Sequence, residues 1–565
     1  MSADRLKRPA CSDDERERKW GGNLVEAAVW ILVRTPVSAL RAEELLRCFS
    51  GDPRLNVLYV FCPGSQFEVG TREWREKCGR RVISLDEASA RIRSKHFPSL
   101  VVSTSENIDF SIFHPAPVVV LPHGLGMHKI VPDSNGDADR QSGVVPERYL
   151  AMGHVTVVVT HADMVEQLMR ISPEANGRVV ICGDTSADLI DISGSRKPGY
   201  RAALGVPESH RLLALSWTWG EGCMLNQWPR VLDDFLESLP SSRYRIALII
   251  HPNMRAWRSE WEIEAILEPH LRRGGLIIVP AEHWHSLVVA ADVFVGDIGS
   301  PTLYSAMAGV PTAFGTYQES LVAKDTVMEE ANHLLRHIDR RRDLQRQIED
   351  LIASHDTSLA DILRNKLIAK PGEAHEGLKR LFYEKLGLDP PARAMPGYVA
   401  DDPVAKGEPV RSHRDYPTVE GGTISLVRFP SEACGAGPSR HGEGHLVVDC
   451  EERNVYALNE AAVIADERIP IGEEVERRLA RLHAEHPGSR LTAVGSDDGC
   501  EIMIRRFERP SERFSVKVLV KRMLPVGALA SAVYSLLVRV REVVGDFVVR
   551  MGELAVDMSV TRIAP

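Results

Sequence analysis

Short runs of apolar residues alternate with helical patterns over most of the chain. Seven such runs occur between residues 23 and 195: AAVWILV, NVLYVF, RVISL, SLVVS, APVVVLP, HVTVVVT and GRVVICG. Between them, stretches such as SALRAEELLRCF and HADMVEQLMRI have the spacing of amphipathic helices. Apolar runs that alternate with helices are typical of parallel strands covered on both faces. The pattern therefore predicts a doubly wound α/β domain over residues 23–195.

A second set of apolar runs predicts the same architecture over residues 196–387. Its members are RLLALSW, YRIALIIHP, GLIIVP, ADVFVGD and GVPTAFG, and a polar, helix-rich tail follows from about residue 320. No sequence repeat relates the two sets. The chain thus predicts two Rossmann-like domains in succession.

The remainder of the chain differs in composition. Residues 388–422 are rich in proline and glycine and are interpreted as a linker. Residues 423–565 predict a smaller α+β domain, with strands at TISLVRF, GHLVVDC, NVYALN, RLTAVG, CEIMIRRF and FSVKVLV around the helix EEVERRLARLHAEH. Residues 1–22 are charged and are predicted to be disordered.

A last helical pattern closes the chain. Apolar residues at 529, 533, 536, 540, 543, 547, 551 and 554 form one stripe. Arg539, Arg541, Asp546 and Arg550 interrupt this stripe, so it cannot span a bilayer. We expect this helix to cover the sheet of its domain, and contact with a membrane surface is the alternative.

Composition excludes several classes of protein. The net charge of −9 argues against a nucleic-acid binder, and the nine scattered cysteines argue against a disulfide framework or a structural zinc site. The polar N-terminus lacks the apolar core of a signal peptide, and no uncharged apolar stretch is long enough to span a membrane. We therefore expect a cytoplasmic protein, with peripheral contact to the inner membrane face left open. The sequence does not indicate an oligomeric state.

Five predicted strand ends carry residues that bind phosphate or exchange protons. In open parallel sheets, ligands bind beyond the carboxyl ends of the strands. In chain order these positions hold His123, Gly124, Gly126 and Lys129; Gly183 and Asp184; Ser216, Thr218 and Gly220; His251; and Asp297, Ser300 and Thr302. Each signal alone is weak, but their convergence in two α/β domains predicts a cleft between the domains.

The segment GDIGSPTLYSAMAG carries the clearest physical signal. Ser300 is a good N-cap and Pro301 suits the first helical position, so a helix is predicted to begin directly after a parallel strand. The N-terminus of that helix attracts anions. We expect Ser300 and Thr302, together with His251 at another strand end, to bind a diphosphate there. Lys129 adds a positive charge.

His123 is the candidate general base in the first domain. It follows the strand VVVL and precedes Gly124 and Gly126, which allow a substrate to approach the backbone closely. A strand that simply ends in a glycine turn is the alternative for this segment.

The motifs, in their order, resemble those of the CDP-glycerol glycerophosphotransferase family, the teichoic-acid polymerases of the GT-B class. The matching segments are HGLGMHK, GDTSAD, SWTWGEG, IHPN and GDIGSPTLY, within residues 24–320. The motifs of this chain resemble those of a group of actinobacterial proteins, some labelled translation initiation factors, more than those of the glycerophosphotransferase family. Two segments depart from the family pattern: DIGS replaces Asp-Tyr-Ser-Ser, and WT replaces a proline-threonine pair.

The resemblance implies a GT-B fold and a transferase. It implies His123 as general base, Asp297 as the residue that positions the site, and His251, Ser300 and Thr302 on the donor's diphosphate. The substrates would be a nucleotide-diphosphate donor and a hydroxyl acceptor of unspecified identity, with no cofactor and no metal.

Two alternatives remain open at the level of sequence. One is an isomerase similar to the UDP-N-acetylglucosamine 2-epimerases, and the other is a non-catalytic nucleotide-binding protein. A GTPase is excluded, because a P-loop needs a Gly-Lys dipeptide and the chain has none.

Overall fold

Seven parallel strands form the sheet of the first α/β domain. The computed structural model describes residues 25–122, 124–125, 127–133, 139–392, 397–431, 442–468, 475–505, 510–518 and 524–563. The elements of the first domain are β1 (Ala27–Val33), α1 (Pro36–Leu45), β2 (Leu55–Phe61), α2 (Glu68–Lys77), β3 (Val82–Ser84), α3 (Leu85–Arg93), β4 (Leu100–Ser103), β5 (Val118–Val120), β6 (Ile130–Pro132), β7 (Asp139–Gln141), α4 (Glu147–Ala151), β8 (Val155–Val159), α5 (Ala162–Ile171) and β9 (Val179–Ile181).

The strand order of this sheet is β3-β2-β1-β4-β5-β8-β9, and β6 pairs with β7 in a separate antiparallel ribbon. All seven apolar runs of the first set are strands of the sheet. Their side chains are buried on both faces, in two hydrophobic clusters, because helices cover both sides.

The second α/β domain has a six-stranded parallel sheet. Its elements are α6 (Thr185–Ser193), α7 (Lys197–Ala203), β10 (Arg211–Trp217), α8 (Met224–Gln227), α9 (Val231–Ser238), β11 (Tyr244–Ile250), α10 (Pro252–Trp257), α11 (Glu260–Arg273), β12 (Leu276–Val279), α12 (Trp284–Ala290), β13 (Val293–Gly296), α13 (Ser300–Met307), β14 (Thr312–Phe314), α14 (Val327–Leu334), β15 (Arg336–His337), α15 (Leu344–Ala353), α16 (Ser358–Leu367) and α17 (Ala374–Leu386). The order is β12-β11-β10-β13-β14-β15, the order of a doubly wound sheet. The prediction of two Rossmann-like domains is confirmed.

The chain crosses between the two α/β domains more than once. α6 precedes the expected boundary at residue 195, yet its Leu189 and Ile190 pack into the core of the second domain. At the other end, α17 returns to the first domain, where Phe382 stacks on Phe49 with ring centroids 5.1 Å apart. The expected boundaries at 195 and 387 therefore do not coincide with the two hydrophobic cores.

The C-terminal domain is a closed, nine-stranded barrel. Its elements are β16 (Ser412–Glu420), β17 (Thr423–Pro430), β18 (His445–Asp449), α18 (Val455–Glu460), β19 (Val463–Asp466), α19 (Val475–Glu485), β20 (Leu491–Ser496), β21 (Gly499–Ile504), β22 (Glu512–Val518), α20 (Val526–Arg539), β23 (Gly545–Met551) and β24 (Leu554–Arg562). The barrel bears out a mixed α+β domain. Three predictions about this part of the chain are wrong. The linker does not extend to residue 422, because β16 begins at Ser412; the segment NVYALN is helical rather than a strand; and the closing helix ends at Arg539 rather than continuing to residue 554.

Helix α20 lies inside the barrel. Eleven of its fourteen residues are buried, and eight of these share one hydrophobic cluster with inward-facing side chains from eight of the nine strands. Beyond Arg539, the stripe residues Phe547, Met551 and Leu554 belong instead to β23 and β24, where an apolar residue at every second position faces the same core. The apolar face considered for a membrane surface is therefore internal as far as Leu537. None of the described helices has the length and apolar content needed to cross a membrane.

The barrel is attached to the second α/β domain. The segment before β16 runs along that domain, where Lys406 exchanges two backbone hydrogen bonds with Ile278 of β12. The backbone N–H of Ser241 donates to the carbonyl oxygen of Arg428 at 2.9 Å. The proline- and glycine-rich segment is thus bound to the protein surface along part of its length. Residues 1–22 lie outside the described residues.

Candidate active site

A cleft of about 880 Å³ lies where the two α/β domains face each other. The first domain contributes residues such as Arg34, Pro122 and Lys129, and the second contributes residues such as His251 and Ser300. These residues follow the carboxyl ends of their strands, which is where ligands bind in open parallel sheets. The predicted cleft between the domains is present.

The loop after β5 reaches across to the second domain. The backbone of Lys129 pairs with that of Val322, and Ala323 donates its N–H to the carbonyl oxygen of His128 at 2.9 Å. A Cβ atom placed on Gly124 would lie 2.7 Å from Oγ of Ser300, so only glycine fits this approach without a shift. His123 and Gly126 lie outside the described residues, and their roles stay predictions.

Lys129 connects the two halves of the cleft. Its Nζ donates a hydrogen bond of 2.6 Å to Oγ1 of Thr218 and lies 5.2 Å from the centroid of the Trp219 ring. Burial lowers the pKa of the Lys129 ammonium to about 8, although the Asp297 carboxylate attracts the charge. The ammonium is therefore charged at neutral pH but close to its titration range.

Asp297 holds the loops of the second domain together beneath the cleft. Its carboxylate, which is fully buried, accepts backbone hydrogen bonds from Thr218 at 2.8 Å, Met224 at 3.1 Å and Gly299 at 3.1 Å. Burial raises the pKa of Asp297 to about 6, and Lys129 and the three N–H donors oppose that rise. Asp297 does not line the cleft, so its geometry fits the predicted positioning role rather than contact with a substrate.

Helix α13 begins one residue earlier than the cap prediction implied. Gly299 is the N-cap, Ser300 the first helical residue and Pro301 the second. The cap prediction for Ser300 is wrong, because Gly299 is the N-cap and the helix start has no side-chain cap; the N–H of Gly299 donates to Asp297 instead. The Ser300 hydroxyl lines the cleft and has no hydrogen-bond partner among the described residues.

Thr302 is not available to a phosphate in this arrangement. Its side chain is 1% exposed, and its hydroxyl donates to the backbone carbonyl oxygen of Asp297 at 2.7 Å. The prediction of Thr302 as a phosphate ligand is therefore wrong, and the hydroxyl instead fixes the first turn of α13.

His251 begins helix α10 and lines the cleft. Its Nδ1 accepts the backbone N–H of Asn253 at 3.1 Å, so in the neutral ring the proton lies on Nε2. Ser216 and Gly220 line the same part of the cleft, and Gly220 has a φ of +77°, which favours glycine.

Gly183 and Asp184 do not line the cleft. A Cβ on Gly183 would meet the carbonyl oxygen of Lys370 at 2.9 Å, and its φ is +79°, so the glycine accommodates the returning chain. Asp184 is buried, caps α6 and accepts a hydrogen bond of 3.0 Å from the hydroxyl of Tyr304. Their prediction as donor-binding residues is wrong, because both serve the packing of the domain boundary.

Several polar and aromatic residues of the cleft were missed from sequence. They are Arg34, Arg41, Glu44, Glu106, Arg140, Trp219, Trp257, Trp284 and Tyr304. Arg34 follows β1, so the same rule about strand ends would have found it. Arg140 lies on the inserted β6–β7 ribbon and forms an ion pair with the buried Glu106, a contact that no local pattern indicates. Among the described residues, no group of three metal-ligating side chains occurs.

Comparisons with known proteins show similarity only at the level of structure. No family model matches the chain, and no curated protein matches it. Among solved structures, the wall teichoic acid polymerase TagF is similar over 64% of this chain and 89% of its own, with 11% identity and a TM-score of 0.42. MnaA of S. aureus with UDP covers 64% of this chain and 96% of its own, with 10% identity and a TM-score of 0.41.

A UDP-GlcNAc 2-epimerase of Methanocaldococcus jannaschii is similar over 63% of this chain and 99% of its own, with 12% identity and a TM-score of 0.40. The fold is GT-B-like. Because these TM-scores lie below 0.5, that description depends on the chain's own two doubly wound sheets and the cleft between them. The GT-B-like part comprises the two α/β domains, and the barrel is additional to it.

Proposed function

We propose that the protein is a transferase that moves a glycerophosphate or glycosyl group from a nucleotide-diphosphate donor to an acceptor hydroxyl. The observation that carries the proposal is the meeting of two strand-end loops in one cleft. Gly124 of the first domain approaches Ser300 of the second, and Lys129 donates to Thr218. A group held on one side can therefore react with a hydroxyl held on the other.

The donor's diphosphate fits the start of α13. The N-terminus of a helix carries a partial positive charge, and the Ser300 hydroxyl lies beside it in the cleft. The Nε2–H of His251 and the ammonium of Lys129 supply a hydrogen bond and a positive charge for phosphate oxygens. Together these groups would stabilise the negative charge that develops on the leaving phosphate.

His123 is proposed as the general base. Its neighbours Pro122 and Gly124 both line the cleft, which supports a role for this segment at the substrate. In this proposal His123 takes the proton of the acceptor hydroxyl, whose oxygen then forms the new bond. For a glycerophosphate donor the oxygen bonds to the distal phosphorus and a nucleoside monophosphate leaves. For a glycosyl donor it bonds to the anomeric carbon and a nucleoside diphosphate leaves.

The test is a turnover assay with a panel of nucleotide-diphosphate sugars and CDP-glycerol, with and without candidate hydroxyl acceptors. We expect acceptor-dependent release of nucleotide by the wild type, and a loss of at least about 100-fold in His123→Gln because general-base catalysis contributes about 10²–10⁴-fold. His333→Gln, an exposed histidine on α14, is the matched control and should retain activity.

Two outcomes would overturn the proposal. Interconversion of sugar nucleotides without any acceptor would indicate an epimerase. Nucleotide binding without turnover under any condition would indicate a non-catalytic protein. Equal turnover by the wild type and His123→Gln would remove His123 as the base while leaving the transferase in place.

A further inference from the structure

A cluster of polar side chains lies at one side of the cleft, where four helices from both domains meet. We call it the Arg41 cluster; its members are Arg41, Glu44, Asp184, Ser186, His285 and Tyr304. Helix α1 of the first domain supplies the first two, and the start of α6, α12 and α13 supply the others. The turnover chemistry proposed above uses none of them.

One guanidinium in this cluster faces two carboxylates. Arg41 donates to Oε2 of Glu44 at 2.5 Å, to Oγ of Ser186 at 2.9 Å and to Oδ2 of Asp184 at 3.2 Å. Burial lowers the pKa of His285 to about 3, so this ring is neutral and adds no positive charge. Among the six side chains of the cluster, one guanidinium therefore faces two carboxylates.

Glu44 is the carboxylate that reaches the cleft. Its side chain is 22% exposed and lines the cleft, whereas Asp184 is fully buried. Oε2 is occupied by Arg41, but Oε1 accepts no hydrogen bond from any described residue, and Nε2 of His285 is 3.7 Å from it. A negative oxygen with free acceptor capacity repels phosphate and favours neutral hydrogen-bond donors such as hydroxyl groups.

An aromatic side chain, Trp284, packs on His285, the residue that faces this carboxylate. Trp284 lines the cleft, and its ring lies 3.9 Å from that of His285 and 4.8 Å from that of Tyr304, measured between centroids. Tyr304 follows Ser300 by four residues on α13, which corresponds to about 6 Å along the helix. These aromatic rings are thus about one helical turn from the proposed diphosphate site.

We infer that Glu44 and Trp284 form the nucleoside subsite of the cleft, with the ribose hydroxyls donating to Glu44 and the base stacked on Trp284. The inference depends on the proposed function, because it takes the diphosphate to lie at Ser300. It adds that the nucleoside is held by both domains, since Glu44 belongs to the first and Trp284 to the second. It also requires a ribonucleotide rather than a deoxyribonucleotide.

The experiment is calorimetry with the nucleoside diphosphate that the wild type binds best, its 2′,3′-dideoxy analogue and inorganic pyrophosphate. A hydrogen bond to a charged group contributes about 1.5–3 kcal/mol, which corresponds to about 10- to 150-fold in affinity. We expect the wild type to prefer the ribonucleotide by a factor in this range. Glu44→Gln should bind ribonucleotide and dideoxy analogue almost equally, with pyrophosphate affinity unchanged.

Glu43→Gln is the matched control. Glu43 is the neighbouring residue on α1, where it accepts a hydrogen bond from Tyr59 and pairs with Arg80 away from the cleft. This variant should keep the ribose preference of the wild type. Thermal unfolding of both variants checks the fold, because Glu44 also balances the charge of Arg41.

Trp284→Leu supplies an independent test that does not alter the charge of the cluster. Loss of base stacking should weaken nucleotide affinity about 10-fold or more and leave pyrophosphate binding unchanged. A ribose preference retained in Glu44→Gln, or no preference in the wild type, would overturn the subsite while nucleotide binding still supported the donor site. If the wild type bound no nucleoside diphosphate, the proposed function itself would fail.

Discussion

At the scale of single residues, the site depends on two close contacts between the α/β domains. Gly124 brings the first domain against Ser300, and Lys129 extends from the same loop to Thr218. Both contacts require the two α/β domains to face each other across the cleft as they do in this structure. Each can be tested by a substitution that changes one atom group and leaves the cores untouched.

Gly124→Ala tests the close approach of the two loops. The added Cβ would lie 2.7 Å from Oγ and 3.3 Å from Cβ of Ser300, so the serine hydroxyl must rotate or the loops must separate. We expect donor affinity to fall about 10-fold, as for the loss of one hydrogen bond to a charged group, with little change in thermal unfolding. Gly194→Ala, where a Cβ meets nothing within 4 Å, is the control in calorimetry.

Lys129 should make donor binding depend on pH. The pKa of the ammonium in the free protein is about 8, so the positive charge is present below that pH and is lost as the pH rises through it. We expect the contribution of Lys129 to diphosphate affinity to be largest below about pH 7 and to fall as the pH rises through 8. Lys129→Met should bind weakly and without this pH dependence, whereas the exposed Lys324→Met should behave as the wild type in the same titrations.

At the scale of elements, buried groups fix how loops and helices begin. The three N–H donors on Asp297 come from the end of β10, the start of α8 and the start of α13. The sequence pattern indicates the aspartate, because it follows a predicted strand. It does not indicate the three N–H donors, which lie up to 79 residues away.

Asp297→Asn should destabilise the second domain by about 2–3 kcal/mol, because an amide cannot accept all three hydrogen bonds and leaves a buried donor unpaired. Since the folded pKa of about 6 exceeds the ordinary value of 3.8, the wild-type contribution to stability is largest below pH 4 and decreases as the pH rises to 6. Urea unfolding of both proteins at pH 4.5 and 7 measures the difference, and the variant should lack this part of the pH dependence.

The position of helix α20 inside the barrel can be tested with two substitutions. Leu529 is fully buried, so Leu529→Ala should cost about 2–5 kcal/mol, whereas Val538→Ala, at a residue that is 58% exposed, should cost less than about 0.5 kcal/mol. Denaturant unfolding followed by a probe in the barrel gives both values. Equal and small effects would place α20 at the surface, as the membrane alternative supposed.

At the scale of the whole molecule, the pattern of apolar runs predicts the two sheets well and the barrel poorly. Parallel strands buried on both faces are continuous apolar runs, so each gives a strong signal. In the barrel strands apolar and polar residues alternate, which gives a weaker signal. Strand β16, with the sequence SHRDYPTVE, has few apolar residues and gives no such signal. The stripe through 529–554 was ambiguous because a buried helix and a following hairpin both place apolar residues at short intervals.

The candidate site shows the same division. Strand-end residues such as His251 and Ser300 were found because topology brings the carboxyl ends of parallel strands together. Residues of the cleft that lie on helices, such as Glu44 and Trp284, were not found, because their positions depend on how one domain docks on the other. The prediction for Thr302 is wrong because a hydroxyl within the first helical turn can face the backbone as readily as the cleft.

Binding of a nucleoside diphosphate should protect the two α/β domains and not the barrel. The proposed contacts lie in the loop after β5, in α1 and α12, and at the starts of α10 and α13, and no described residue of the barrel lines the cleft. We expect hydrogen exchange to slow in those five segments and to be unchanged in α20. Protection of α20 would indicate coupling between the cleft and the barrel that the proposed contacts do not explain.

The most direct test of the central claim is calorimetric titration of the protein with a panel of nucleoside diphosphates. We expect at least one to bind the wild type, and Ser300→Asp to lose about 100-fold or more because the new carboxylate repels the diphosphate at the start of α13. Ser320→Asp, at an exposed position, should bind as the wild type does. Absence of binding across the whole panel, or equal binding by Ser300→Asp, would contradict the assignment of the cleft as a nucleotide-diphosphate site.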